Sequence, residues 1–468
     1  MSHLLKTITF TVILAVAGCR SQYVIHENFS VPIAQTVPEP VRLPADASAS
    51  LYSGLSYRDM VIQFYENRDF KLAWFDSLGN GASSDSMIYI IEKVRYSGLL
   101  PQRYHLPEIE QLRYHNGLYA IPRTDVLLTD AFLRLSSELE AGVSGSHQPD
   151  SSKADLLRMA LRKKELVKML KSVEPDHSQY KALKRALRSI VDSADFETRS
   201  RFLSGELDEF WPVDKVIERI EVNLERWRAE ERLTEEGKYI IVNVPSFMLA
   251  VVKDGRTVME SRVIVGTAET PTPDITSQIE CIVIYPFWHV PRRIAVEEYL
   301  PVIKRDTSFT TRNNFDVLDK KGRLLLSDTI DWKKFNKNYF PVSLRQREGK
   351  ENSLGLVKFV FDNPYAVFVH DTNAKWLFKN EKRTYSHGCI RMEKAFDLAH
   401  YLLTNDISNK SKVLVEYLAR EERRTISLSQ PMPIYVRYFT CSVINDKLVV
   451  YNDCYGKDKK LLDALENF

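Results

Sequence analysis

Residues 238–256 read KYIIVNVPSFMLAVVKDGR. Tyr239 to Val244 is a short apolar run rich in β-branched residues, and Pro245-Ser246 is a turn. Phe247 to Val252 is a second run, closed by Lys253-Asp254-Gly255-Arg256. Apolar runs of strand length bounded by such turns predict a β-hairpin. The stretch also marks a change of period. Before it, apolar residues recur at helical spacing; after it, they come in short runs. The predicted fold class is therefore α+β, with an all-helical domain over 51–231 followed by a β-rich domain over 238–468.

The helical reading rests on Met60, Val61, Phe64 and Tyr65, and on Met87, Ile88, Ile90, Ile91 and Val94, halted by Gly98 and Pro101. Val126, Leu127, Leu128, Ala131, Phe132, Leu135 and Leu139 stripe a longer helix, and 154–173, 180–191 and 213–228 continue the pattern. The charges on these segments read as solvated faces. In the second half, 258–265, 279–285, 358–361, 366–369, 413–417, 434–439 and 447–451 read as strands. A helix is expected at 394–403 and a shorter one at 296–304. The shorter one lies in a polar stretch, about 291–337, that reads as an insertion between strands, a capping or lid subdomain.

The 468 residues suit two or three domains. With 44% apolar and 27% charged residues the chain is globular, and a net charge of +3 gives no electrostatic case for nucleic acid as a partner. Residues 1–19 read MSHLLKTITFTVILAVAGC. Lys6 and the apolar core Ile8 to Ala17 form an export signal too short to span a bilayer. Its end, Val16-Ala17-Gly18-Cys19, resembles the bacterial lipobox, which implies a signal peptide over 1–18 and lipidation at Cys19. Residues 19–50, with Pro32, Pro38, Pro40 and Pro44, read as a tether. The localisation this implies is the cell envelope, as a membrane-anchored lipoprotein facing the periplasm. Four other cysteines, Cys281, Cys389, Cys441 and Cys454, are scattered with no C-x-x-C pair. A structural zinc site is unsupported, and whether Cys441 and Cys454 pair stays open.

Chemistry concentrates in two segments, AVFVHDT at 366–372 and SHGCIRM at 386–392. His370 ends an apolar strand. Cys389 precedes a segment with helical periodicity, whose N-terminal dipole would favour a thiolate. Backbone N–H groups at Gly388 and Cys389 would form an oxyanion hole. A cysteine beside a histidine able to take its proton is the minimal acyl-transfer nucleophile. Each residue alone has a plainer reading: a strand-end histidine is more often structural, and a buried cysteine is more often a small hydrophobe. Zinc held by His370, His387 and Cys389 lacks a fourth ligand, so no metal and no cofactor is expected.

His370 followed by Ser386-His387-Gly388-Cys389 resembles the signature of the L,D-transpeptidase (YkuD-type) catalytic domain. Further matching stretches fall in order: Asn223 to Arg228, Val242 to Phe247, Val263 to Gly266, Thr270 to Pro273, Tyr285 to Pro291, Asn352 to Gly355 and Val357 to Phe359. They resemble the large Gram-negative members that have a scaffold domain and a capping subdomain. The resemblance implies Cys389 as nucleophile and His370 as general base. It implies that Asp371 orients His370 through its carbonyl, and that His387, Gly388 and Cys389 supply oxyanion N–H groups. Ser386 and Arg391 would line the site, with Tyr385 and Trp288 as further substrate contacts. The implied reaction joins peptidoglycan stem peptides, a donor tetrapeptide and an acceptor stem, in a 3→3 cross-link with release of D-alanine. Acylation by carbapenems is implied as well.

Two departures stand out. Arg391 occupies a position where the family pattern often has asparagine. The stretch from Ser193 to Pro212 is also too short for the peptidoglycan-binding module common in large members. The sequence leaves open an L,D-carboxypeptidase that resolves the same acyl-enzyme with water, attachment of stems to a protein lysine, and a catalytically silent wall-binding lipoprotein.

Overall fold

The computed structural model describes residues 42–43, 50–76, 81–114, 119–144, 151–192, 212–230, 233 and 236–466. The signal peptide, Cys19 and nearly all of the expected tether lie outside them. Arg42, Leu43 and Ser50 are the exceptions. Leu43 is buried in the helical core, its N–H bonded to the Phe70 carbonyl at 2.8 Å, so this part of the expected tether belongs to the folded body.

The helix Ala120–Ala141 organises that body, and it is buried on nearly every side. Its apolar residues meet the helices Arg58–Glu66, Ala82–Glu92, Ser151–Lys163 and Leu166–Val173 in one core. Full burial also draws in its polar residues, and buried polar groups need partners. Asp125 accepts the N–H groups of Ala73 and Trp74, each at 2.9 Å. Asp130 accepts that of Tyr57 at 2.7 Å, and Glu138 holds Arg103 and Arg134, each at 2.9 Å.

From Lys238 the chain forms a nine-stranded sheet. In chain order its members are β1 (Lys238–Asn243), β2 (Met248–Lys253), β3 (Arg256–Gly266), β4 (Ile275–Ile284), β9 (Val357–Phe361), β10 (Val369–His370), β11 (Thr384–Ser386), β12 (Ile390–Met392) and β13 (Arg424–Arg437). The spatial order is β11-β3-β12-β10-β9-β4-β13-β1-β2, and β2 also pairs with β3, so the sheet closes on itself. Val242, Leu249, Val263, Ile282, Phe359, Val369 and Ile390 form its core with Leu398, Ala399 and Leu402 of the helix Ala395–Thr404. Residues 413–417, expected as a strand, lie in the helix Ser411–Arg420. Val413, Leu414, Tyr417 and Leu418 pack from one helical face, and a short apolar run does not by itself distinguish the two periods.

The insertion between β4 and β9 carries β5 (Trp288–His289), β6 (Phe315–Leu318), β7 (Leu324–Leu325) and β8 (Ser343–Gln346), ordered β5-β8-β6-β7. It has its own core of Val290, Ile294, Leu300, Ile303, Val317, Trp332 and Leu344. The subdomain therefore runs on to Gln346, beyond the polar stretch that signalled it, because β8 pairs with both β5 and β6.

The end of the chain returns to the helical body, although the sequence assigned it to the β-rich domain. The hairpin of β14 (Cys441–Ile444) and β15 (Lys447–Val450) packs with Tyr180, Leu183, Ile220 and Trp227, and Leu465 enters the helical core. The joint centres on the helix Val213–Ala229. Trp227 stacks between His177, with ring centres 4.2 Å apart, and Phe439, at 4.4 Å. Asn223 exchanges two hydrogen bonds with Thr440, at 2.9 and 2.8 Å, and Arg226 pairs with Asp458 at 2.7 Å.

Removing Trp227 from this stack leaves a cavity between the two bodies. Trp227→Ala is expected to lower unfolding stability by about 3–5 kcal/mol in urea titrations. A loss under about 1 kcal/mol would show that the stack does not carry the joint.

Candidate active site

The register of three neighbouring strands builds the site. His370 on β10 lies directly opposite Lys358 on antiparallel β9 and opposite Arg391 on parallel β12. Directly opposed residues share a face, so Lys358, His370 and Arg391 form a row across the sheet. Val369, Phe359 and Ile390, each one position away, point into the core. Cys389 immediately precedes β12, two residues before Arg391, and its thiol interacts electrostatically with Lys358 and Arg391 of the row.

His370 is buried, and its Nδ1–H donates to the Asp371 carbonyl oxygen at 2.5 Å, which leaves the ring lone pair on Nε2. The Asp371 carboxylate is occupied elsewhere, by the Leu356 N–H at 2.9 Å and by Lys375. Gly355, at φ +61°, lets it come that close, because a Cβ there would lie 2.3 Å from the carboxylate. Burial, and next the Arg391 guanidinium, press the His370 pKa down to about 3. Burial pushes the Cys389 thiol up, while the Phe368 N–H, Lys358 and Arg391 act in the opposite direction. Both partners are therefore uncharged at neutral pH.

Cys389 is not at a helix N-terminus. β12 intervenes, and the helix begins only at Ala395. The three strand residues pair with β10 and β3, a long-range constraint that overrides the local helical signal. The cations that favour a thiolate are instead the side chains Lys358 and Arg391. Lys358 Nζ stands 3.7 Å over the Phe368 ring. Burial lowers the pKa of both cations, and neither has a carboxylate partner among the described residues.

Ser386, expected to line the site, is buried. Its hydroxyl donates to the Cys389 carbonyl at 2.5 Å and accepts the Gly388 N–H at 3.1 Å, so it braces the loop from behind. The Gly388 N–H is thereby engaged, which removes it from the expected set of oxyanion donors in this arrangement. Thr272, which the sequence reading did not single out for the site, donates to the Gly388 carbonyl at 2.9 Å and accepts the Gly266 N–H at 2.9 Å. Gly388 itself takes φ +111°, a conformation that favours glycine. Ala366 is held at φ +53°, and its carbonyl lies 4.0 Å from the Cys389 sulfur.

The insertion reaches this face. Glu298 Oε1 lies 2.6 Å from His387 Nε2, and Tyr299 interacts electrostatically with Arg391. Trp288 packs edge-on to Tyr299 at 6.1 Å, within the insertion's aromatic cluster. Tyr385 is exposed, its hydroxyl bonded to Asn380 at 2.9 Å. Cys281, Cys389, Cys441 and Cys454 are all free thiols, so Cys441 and Cys454 are not bridged. Among the described residues no group of three or more histidine, cysteine or acidic side chains could hold a metal.

Comparison with known proteins brings the halves together. Residues 237–415 match the model of the L,D-transpeptidase catalytic domain (YkuD), and residues 59–187 match that of a scaffold domain. A curated Haemophilus influenzae relative named "Putative L,D-transpeptidase" is 25% identical over 421 residues, which is 87% of this chain and 80% of the relative. Among solved structures, an L,D-transpeptidase from Mycobacterium smegmatis is 13% identical with a TM-score of 0.19, covering 43% of this chain and 58% of its own. The Ldtfm-avibactam carbamoyl enzyme is 12% identical with a TM-score of 0.17, covering 45% and 51%. This chain thus spans little more than half the length of those structures, and the assignment rests on the sequence matches. The chain carries an L,D-transpeptidase (YkuD) catalytic domain in its β-rich part, preceded by a helical scaffold domain, and is similar to a curated relative over most of its length.

Proposed function

We propose that the protein is a peptidoglycan L,D-transpeptidase that forms 3→3 cross-links through an acyl-enzyme on Cys389, with His370 as general base. The observation that carries this reading is the strand register that sets Lys358, His370 and Arg391 in a row beside Cys389 within the matched catalytic domain. Cys389 Sγ attacks the carbonyl between the third residue of a tetrapeptide stem and its terminal D-alanine. A C–S bond forms, the C–N bond breaks, and His370 Nε2 carries the thiol proton to the departing amine. N–H groups of His387 and Cys389 receive the oxyanion. A side-chain amine of a second stem then takes the acyl group and frees the thiol.

Electrostatics support the order of events. Lys358 and Arg391 favour an anion at sulfur or oxygen and disfavour a cation on His370. The proton therefore crosses the imidazole during attack and does not rest on it. At the cell envelope, lipidation at Cys19 would anchor the protein in a membrane facing the periplasm, and β-lactams such as carbapenems would acylate Cys389.

Incubation with purified disaccharide-tetrapeptide is expected to yield a dimer lighter by one D-alanine, as read by mass spectrometry. Cys389→Ala should give none. A shortened tripeptide as the sole product would establish the carboxypeptidase instead, and no product from a reduced protein would overturn both.

The uncharged pair has a pH signature. Because burial raises the thiol, its thiolate fraction at pH 7 is below that of a free cysteine, and it grows as pH rises past the ordinary value near 8.5. His370, pushed to about 3, stays neutral throughout and contributes no step between pH 5 and 8. Alkylation of Cys389 by iodoacetamide, followed peptide by peptide, should be slower than that of glutathione at pH 7 and climb through pH 9. A rate constant flat from pH 5 upward would reveal a standing thiolate–imidazolium pair and refute this account.

A further inference from the structure

The site is polarised. Its sheet side carries Lys358 and Arg391, cations with no carboxylate partner among the described residues, and the insertion side presents a carboxylate. The insertion's first helix, Arg292–Ile294, widens into a π-turn over Ala295–Tyr299 before Leu300–Arg305. Such turns recur at functional sites because they redirect side chains. Here consecutive residues reach toward the reacting face, Glu298 at His387 and Tyr299 within electrostatic reach of Arg391. The neighbouring acid, Glu297, is committed to Arg293 at 3.1 Å. Among the described residues Glu298 has no arginine or lysine partner; it meets an imidazole. Both side chains of the pair stay open to solvent, 46% for Glu298 and 41% for His387, so a ligand can reach them. His387 lies two positions before Cys389 on the braced loop.

Transpeptidation needs two substrates of opposite local charge at the same thiol. The donor brings carboxylates. The acceptor brings a side-chain amine with an ordinary pKa near 10.4, so only about one molecule in 10³ is unprotonated at pH 7. An ammonium has no lone pair, and it must shed a proton before it can attack. Lys358 and Arg391 repel it, while Glu298 attracts it.

Building on the transpeptidase reading, we infer that Glu298 and His387 form the acceptor subsite, which draws in the ammonium of the second stem and takes the proton it must lose. The amine nitrogen gives one proton to the Glu298–His387 pair, which returns it to water. The nitrogen lone pair then bonds to the thioester carbonyl carbon, the C–S bond breaks, and the electron pair leaves on Cys389 sulfur. The second nitrogen proton passes through His370 to the thiolate, restoring the neutral pair.

The plainer role of this contact is a latch that holds the insertion against the loop, and an exposed ion pair of that kind contributes only about 0–1 kcal/mol. Glu298→Gln separates the two roles, since the amide keeps a hydrogen bond to His387 and loses the charge. The full chain and this variant are given disaccharide-tetrapeptide, and D-alanine, dimer and tripeptide are quantified together. Dimer formation should fall at least about tenfold more than D-alanine release, with tripeptide rising. With hydroxylamine, uncharged at pH 7, as the acceptor, hydroxamate formation should follow D-alanine release in both proteins, and Glu298→Asp should recover part of the dimer. An unchanged dimer-to-tripeptide ratio, or an equal fall of dimer and hydroxamate, would overturn the subsite while leaving the transpeptidase standing. A wild-type protein that releases D-alanine and makes hydroxamate but no dimer would overturn both readings.

Discussion

The pairing of β10 with β9 on one side and with β12 on the other is the constraint on which the rest of the molecule depends. A β-strand alternates its faces, so a slip of one residue would turn His370 into the core and Val369 out of it. The slip is opposed by everything on the core face. Phe359, Val369 and Ile390 have essentially no exposure, and each would trade its buried position for a polar neighbour. The hydrophobic core therefore fixes the position of the polar row. Loop devices refine the placement further: the Asp371 carbonyl sets the imidazole, Asn363 brackets the turn before β10 through the Val367 N–H and carbonyl, and Ser386 and Thr272 pin the turn before β12.

The helical body is held by a different balance. Its central helix is buried on nearly every side, so Asp125, Asp130 and Glu138 have been taken out of water. Breaking such a pair by removing one partner strands a charge, which typically costs about 3–5 kcal/mol. Backbone N–H groups and arginines from several segments converge on these carboxylates, and that ties together elements distant in sequence. Arg228 repeats the logic at the joint, fully buried against Glu225 at 3.2 Å and against the Ser97 carbonyl. Because the chain's last strands and helix close over the same joint, the two bodies share one fold and are not beads on a string.

The change from helical to strand period near Lys238 was legible in the sequence because it is a local property of side-chain spacing. What was illegible is whatever depends on distant partners. The helix-dipole account of Cys389 failed because Ile390 to Met392 are recruited by β10 and β3. Residues 413–417 read as a strand because a run of five cannot show its period. The insertion's far boundary was drawn at its polar stretch, whereas β8 is added by pairing with β5 and β6. Leu43 looked like part of a tether because its burial depends on Phe70 and the helical core. Ser386 looked like a substrate contact, since a sequence motif names a residue and not the direction in which its hydroxyl points. Glu298 carried no signal at all, because its partner lies 89 residues away in the chain.

The separation of charge across the site is more than a by-product of this architecture. Had Glu298 reached Arg391, the two would neutralise each other, and the face would present an ion pair of little use to either substrate. Arg391 interacts instead with Tyr299, whose hydroxyl burial pushes up to about 12, and so it stays uncharged. That choice keeps the guanidinium half-dehydrated and unpaired, a condition that costs stability unless an anion arrives. The anions that arrive in the proposed cycle are the donor's carboxylate, the thiolate and the oxyanion, each present at a different moment. A permanent carboxylate partner would relieve the cost in the resting protein and withhold the same interaction from the transition state of the proposed cycle, where it would lower the barrier.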